Sequence, residues 1–286
     1  MTHEWANAPE PSVNLAQPGL ATKHESSLHK NFAHTDHNIL RTLIYNQLIA
    51  MESLFRFTAP PSACGYLPQE EWSLEYEYVG QMTPSEYMQR MVEGWRRFGH
   101  VLFRPQCRAC QACQPIRVVA SQFRPDRSQR RAAKVNEGLV QIRVGEPSAS
   151  RSKLTLYDRY HAFQSDAKGW PSQPAKDAEE YTNSFVANPF PTQEWCYYLN
   201  NKLVGVGYVD DLPGGLSAIY FFYDPAERHR SLGTWNVMNV IESARVRHIP
   251  HVYLGYFVEN CASMAYKAGF RPNQVLGPDG RWREFR

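Results

Sequence analysis

Three apolar segments joined by two tight turns constrain this chain more than any other feature. Residues 195–199, 203–209 and 216–223 are rich in Val, Leu, Tyr and Phe, and Asn200-Asn201 and Pro213-Gly214-Gly215 separate them. Asn and Gly reach the left-handed backbone that short hairpin turns demand, so the segments are expected to form an antiparallel meander. A helix with Val237, Met238, Ile241 and Ala244 on its inner face should follow, then a strand over 251–257 and a short helix from Asn260 to Gly269. An earlier helix is expected around Leu156, Tyr157, Tyr160 and Phe163. Strands, then helix, strand and helix, describe an α+β layer with helices packed on a mixed sheet.

The first half reads differently. Residues 1–37 hold five of the ten histidines and lack apolar periodicity, as a solvated leader does; their histidines have no spacing that commits them to a metal. Leu40, Leu43, Ile44, Leu48 and Met51 predict a helix from Asn38. Thr83 with Glu86 makes a capping box, Pro84 suits the first helical position, and Met88, Met91, Val92, Trp95 and Phe98 form a stripe that Gly99 closes. Strands over 116–120 and 139–144 should flank a polar helix over 127–138. The Ser-, Pro- and Gly-rich stretch 145–152 is the expected linker. The expected organisation is therefore a leader and helix over 1–52, a small cysteine-containing domain over 53–144, a second domain over 153–275 and a tail over 276–286.

With 286 residues, 43% of them apolar, the chain can bury a substantial core without staples. Its formal charge is only +3, so a polyanion must be met by a local patch. No apolar run reaches membrane-spanning length, and Glu4, Glu10 and three prolines interrupt the start where a signal peptide needs an unbroken apolar stretch. A soluble cytoplasmic protein with no membrane partner is the expectation. Six cysteines are too few for a disulfide framework in so long a chain, which leaves reduced thiols or a metal site.

Cys107-Arg-Ala-Cys110-Gln-Ala-Cys113 places three thiols at two consecutive C-x-x-C spacings, and Cys64 can supply a fourth. Four thiolates suit zinc or an iron-sulfur cluster; free thiols lining a turn suit the same residues. Arg117, Arg124, Arg127, Arg130, Arg131 and Lys134 stand against a single acid, Asp126. Such a patch is either a solvated face or a site for phosphates or a carboxylate, which guanidinium forks pair in bidentate fashion. Arg230-Ser-Leu-Gly-Thr234 lies between a strand and a helix, where backbone amides can hold a phosphate. The element order resembles a GNAT-like acyltransferase domain, whose pyrophosphate turn ends in a small residue; Trp235 stands there instead and argues against a coenzyme A grip. Aromatic residues on the strands, Tyr220, Tyr223 and Tyr256 among them, are either core or stacking surfaces for an unpaired nucleotide.

Read together, these motifs resemble the aminoacyl-tRNA-protein transferases, and the bacterial leucyl branch more closely than the arginyl enzymes. The carrying segments are Cys64-Gly-Tyr-Leu-Pro68, Gly94-Trp-Arg-Arg-Phe-Gly99, Phe103 through the cysteine cluster to Arg117, and Phe123-Arg-Pro-Asp-Arg-Ser-Gln-Arg-Arg131. In the second half they are Gly215 to Tyr220, Phe222-Tyr-Asp-Pro225, Arg230 to Thr234, and Tyr253-Leu-Gly-Tyr256 with Met264, Lys267 and Phe270-Arg-Pro272. Leu67 replaces a second cysteine of the eukaryotic arginyl enzymes, the first 50 residues look like an addition, and Phe163-Gln164-Ser165-Asp166 stands where the family suggests an Arg-His pair.

The resemblance implies a reaction: an amino acid, leucine in preference to arginine, passes from charged tRNA to the α-amine of a protein beginning with Asp or Glu, marking it for N-degron degradation. The ester is already activated and an α-amine is partly unprotonated near neutrality, so alignment supplies much of the acceleration, with no catalytic base nominated and no cofactor required for transfer. Ser128, Gln129, Arg130 and Arg131 are expected to pair the acidic residue. Arg230, Ser231, Gly233 and Lys267 are expected at the tRNA end, Tyr220, Tyr223 and Tyr256 around the transferred side chain, and Cys64, Cys107, Cys110 and Cys113 at a zinc or iron-sulfur centre. The alternatives are a GNAT-type coenzyme A-dependent N-acetyltransferase and a cysteine-cluster RNA-binding module.

Overall fold

The structure is a computed structural model that describes residues 51–286 apart from 171 and 173. The expected leader and the helix over 38–51, Met51 apart, lie outside the described residues.

Strand β1 (Ser53–Thr58) is followed by a two-residue ladder of β2 (Ser62–Ala63) on β3 (Glu71–Trp72) and then by β4 (Leu74–Val79), β5 (Arg96–Phe98) and β6 (Val101–Pro105). Four of these make a small antiparallel sheet in the order β1-β4-β6-β5. The larger sheet contains β7 (Gln114–Val119), β8 (Val140–Gly145), β9 (Thr192–Leu199), β10 (Lys202–Leu212), β11 (Gly215–Tyr223), β12 (His251–Phe257), β13 (Asn273–Leu276) and β14 (Trp282–Glu284). Its order is β14-β13-β7-β12-β11-β10-β9-β8, with β11 and β12 parallel and every other pair antiparallel. The meander is as expected: Asn200 and Asn201 have φ of 48° and 64°, the left-handed pair of a two-residue hairpin turn.

Helices α1 (Pro84–Val92), α2 (Arg127–Asn136), α3 (Arg151–Lys168), α4 (Ala178–Tyr181), α5 (Leu232–Val246) and α6 (Ala262–Ala265) pack around the sheets. Because side chains alternate along a strand, the large sheet has two cores. Leu232, Trp235, Val240 and Ile241 of α5 and Ala132 of α2 bury against Tyr197 and Phe221. Leu156, Tyr157 and Tyr160 of α3 bury on the other face, against Cys196, Tyr208, Tyr220 and Phe222. This is the expected α+β mixed sheet flanked by helices, with a separate small sheet ahead of it. Among the described residues no helix is long and apolar enough to cross a membrane.

Two expectations need correction. The helix opening at the Thr83–Glu86 capping box stops at Val92 rather than reaching Phe98, because Gly94 adopts φ of 96° and turns the chain into β5. The expected boundary at 145–152 does not part the two sheets: β7 and β8, read as N-terminal, pair with β12, β13 and β9 of the large sheet. The tail over 276–286 carries β14, which pairs with β13, and its Trp282 donates the indole N–H to the Val92 carbonyl at 3.1 Å.

The sheets are joined by arginines of the Gly94–Gly99 segment. Arg97 is fully buried, donating from Nε to Asp210 Oδ2 at 2.9 Å, from a second nitrogen to Asp210 Oδ1, and to Thr192, Asn188 and the Gly99 carbonyl. Arg96 donates to the carbonyls of Met91 and Trp95 and, across the interface, to that of Gly255 at 3.2 Å.

Candidate functional site

The parallel pair is zipped only at its start. Gly215, Leu216 and Ser217 of β11 pair with His251, Val252 and Tyr253 of β12, and the ladder ends there although both strands run on. Beyond the ladder the two strands meet the small sheet instead of each other: Arg96 donates to the Gly255 carbonyl of β12, and Phe98 packs edge-on against Tyr220 of β11 with ring centroids 5.7 Å apart.

Asp224 organises the end of β11. It is completely buried, and its Oδ2 accepts from Lys202 Nζ at 2.7 Å and from Arg159 of α3 at 3.2 Å, while Oδ1 accepts the Ala226 N–H at 3.1 Å. Burial works to raise its pKa, but these donors outweigh it and hold the carboxyl below the usual carboxylate range. The chain then winds through a 3-10 turn, Pro225–Arg230, to Ser231 at φ of 53°, and α5 begins. The Ser231 side chain is exposed and does not cap the helix. Arg230 is held between Glu227 and the Val135 carbonyl, both at 2.8 Å, and its own carbonyl accepts from Asn136 Nδ2 at 2.8 Å. These bonds bring the last turn of α2 against the start of α5, so the basic helix and the Arg230–Gly233 turn adjoin one another. Gly233 itself is buried.

On α2, Ser128, Arg130 and Arg131 are exposed, as are Arg127 and Lys134. Ser128 donates to Asp126 at 2.8 Å, and Arg130 to the Pro125 carbonyl at the base of its own helix. Gln129 is different: it is the capping-box partner of Asp126 and donates across to the Gly269 carbonyl at 3.1 Å, so both ends of its amide hold backbone. Lys267 is also buried, with Nζ 2.8 Å from the Tyr256 carbonyl, and the Tyr256 hydroxyl donates to the Gly94 carbonyl at 2.8 Å. Trp235 buries its indole against Tyr197, in the core and away from the turn, so its bulk does not by itself obstruct an anion there.

Tyr220 and Tyr223 lie on β11 beyond the zipped part. Tyr223 packs on Tyr160, and the Tyr220 hydroxyl is 2.6 Å from His161 Nε2 of α3. His161 was missed by sequence reasoning. Its signal was helical spacing, for Asp158, His161, Ala162 and Ser165 recur at three and four residues and line one face of α3. That face is one wall of a surface cavity of about 230 Å³, faced by the exposed Ser172, Pro174 and Ala175.

Cys64, Cys107, Cys110 and Cys113 meet around one small cavity with Trp72, Phe103 and Tyr256. Burial pushes the Cys107 thiol up, and the neighbouring Cys110 and Cys64 add to this. Soft sulfur donors on a common cavity match zinc or a cluster in chemistry. Among the described residues, however, no group of three or more Cys, His, Asp or Glu is gathered tightly enough to hold an ion.

The family described as Arginine-tRNA-protein transferase, N terminus, matches residues 62–131, and its C-terminus counterpart matches residues 152–277. The chain belongs to the arginine-tRNA-protein transferase family. Among its curated relatives, an aspartate/glutamate leucyltransferase of Campylobacter jejuni is 35% identical over 74% of this chain and 89% of its own length. Another, of Marinobacter nauticus, is 37% identical over 82% of this chain and 97% of its own. A solved C-terminal domain of a lysylphosphatidylglycerol synthetase from Agrobacterium fabrum covers 70% of this chain and 64% of that one at 12% identity, with a TM-score of 0.42, too distant to carry an argument. In this transferase family member the two matched regions take in the cysteine loop and the first half of α2 on one side, and α3, the β9–β12 strands and α5 on the other.

Proposed function

We propose that this chain moves leucine from the 3′ end of charged tRNA to the α-amine of proteins that begin with Asp or Glu, feeding them to N-degron degradation. The observation that carries this reading is the match to aspartate/glutamate leucyltransferases along both sheets rather than one domain. The acceptor amine forms an amide with the aminoacyl carbonyl, the ester bond to the ribose breaks, and the ribose oxygen ends with the proton the amine gives up. Holding the two ends in line is the main demand on the protein.

The exposed Ser231 turn that follows β11, with the basic face of α2 beside it, supports a docking place for the tRNA terminus. Arg130 and Arg131, exposed and beside Ser128, are our assignment for the acidic residue of the acceptor, since guanidinium pairs a carboxylate directionally. Gln129 and Lys267 contribute by holding backbone. Cys64, Cys107, Cys110 and Cys113 share one cavity without closing into a coordination sphere, and we assign them to a zinc or iron-sulfur centre that would draw them together when bound; metal analysis of anaerobically purified protein checks it, and an active, folded, metal-free sample refutes it.

The deciding experiment is incubation with a mixed pool of charged tRNAs and an Asp-starting peptide, followed by mass measurement. The expected product is heavier by one leucyl residue; no lengthening with any donor overturns the reading. Arg130→Ala with Arg131→Ala is expected to erase the preference for N-terminal Asp over Ala, and an unchanged preference removes that assignment. Tight acetyl-coenzyme A binding in calorimetry is the result that would favour an N-acetyltransferase instead.

A further inference from the structure

A cavity of about 230 Å³ lies against α3, apart from the basic helix and the cysteine loop. It is smaller than the roughly 300–1,000 Å³ of pockets for cofactor-sized ligands, and suits a single amino acid. Tyr157, Ala162, Pro174 and Ala175 give it apolar walls, and Asp158 is the one acid among its lining residues. One Asp158 oxygen accepts the Lys176 N–H at 3.0 Å, which fixes the carboxylate.

Two connections tie this space to the end of β11. His161 in its wall reaches Tyr220 of β11, and Arg159, next to Asp158 on the same turn of α3, reaches Asp224 at the end of the same strand. The cavity and the Ser231 turn are thus anchored to the same end of β11. We propose that this cavity seats the aminoacyl group of the donor, with Asp158 pairing its α-ammonium and the apolar walls enclosing an aliphatic side chain.

The proposal rests on the transferase reading and adds to it a site and a specificity. A free α-ammonium is what an aminoacyl ester carries and an acetyl or N-blocked ester lacks. His161 is compatible with a cation nearby, because burial first and Lys176 second push its pKa down to about 4 and leave it neutral at pH 7. The apolar lining of Tyr157, Ala162, Pro174 and Ala175 favours an aliphatic side chain over a charged one, which places leucine ahead of arginine.

The test compares leucyl-tRNA with N-acetyl-leucyl-tRNA as donor to an Asp-starting peptide, for the wild type and Asp158→Asn. The wild type should prefer the free amine, and Asp158→Asn should lose roughly 10- to 100-fold in kcat/KM for leucyl-tRNA, with little change for the blocked donor. A variant that keeps the preference overturns the Asp158 assignment while leaving the transferase reading intact. A wild type that transfers leucine from neither donor overturns that reading instead. Ala162→Phe, at an exposed position of the cavity wall, gives a second measurement. It should raise KM for leucyl-tRNA at an unchanged melting temperature, and an unchanged KM would remove the cavity as the aminoacyl seat.

Discussion

Two imidazoles are kept neutral by their surroundings. Burial, then Lys176, lowers His161 to about 4, and burial, then Arg117, lowers His251 to about 4, against an ordinary value of 6.5. Between those values the unfolded chain takes up protons that the folded one refuses, so stability falls as the pH drops from 6.5 toward 4, by at most about 1.4 kcal/mol per pH unit per site. Above that window neither imidazole contributes. The loss of urea resistance between pH 7 and 5 should therefore be smaller in His161→Gln than in the wild type, and an equal loss would show that His161 does not titrate as described. At this scale the sequence reveals side-chain chemistry but not what faces it. Gln129 and Lys267 read as recognition groups, yet each is 3% exposed and donates to a backbone carbonyl. His161 was passed over because its partner Tyr220 is 59 residues away.

Among the elements, α2 shows how local chemistry sets a surface. Asp126 accepts the Gln129 N–H at 2.8 Å and Gln129 returns a bond to the Asp126 N–H, and the first of these is the main reason its carboxyl sits below the usual range. Asp126→Ala should cost about 1 kcal/mol in chemical denaturation, as lost caps do. It should also weaken acceptor discrimination, because Arg130 and Arg131 lie in the turns this cap fixes; full stability with full discrimination would refute the link. The meander turns, the Thr83–Glu86 capping box and the helix with Val237, Met238, Ile241 and Ala244 on its inner face were legible because each is encoded within a few residues. The segment after α1 was not. Trp95 and Phe98 continue the helical spacing, and only the positive φ of Gly94 converts them to a strand.

At the level of the whole molecule, the pairing of β7 with β12 and β13 was beyond sequence reasoning, since partners more than 130 residues apart leave no periodic trace. The same holds for Arg97 and Asp210, 113 residues apart and both without exposure. Breaking such a pair strands a buried charge, so Arg97→Met should lose about 3–5 kcal/mol. Adding Asp210→Leu should restore a substantial part of that loss, measured by urea unfolding. A double variant as weak as the single one would assign the loss to the Asn188, Thr192 and Gly99 contacts instead.

The place of β7 limits how such proteins can be recombined. It lies within the family's N-terminal match, yet it is an interior strand of the large sheet, bonded on one side to β12 and on the other to β13. A chimera spliced between residues 131 and 152 imports a foreign strand into the middle of a resident sheet. Halves from two relatives will be exchangeable only where the side chains facing β12 and β13 were selected together.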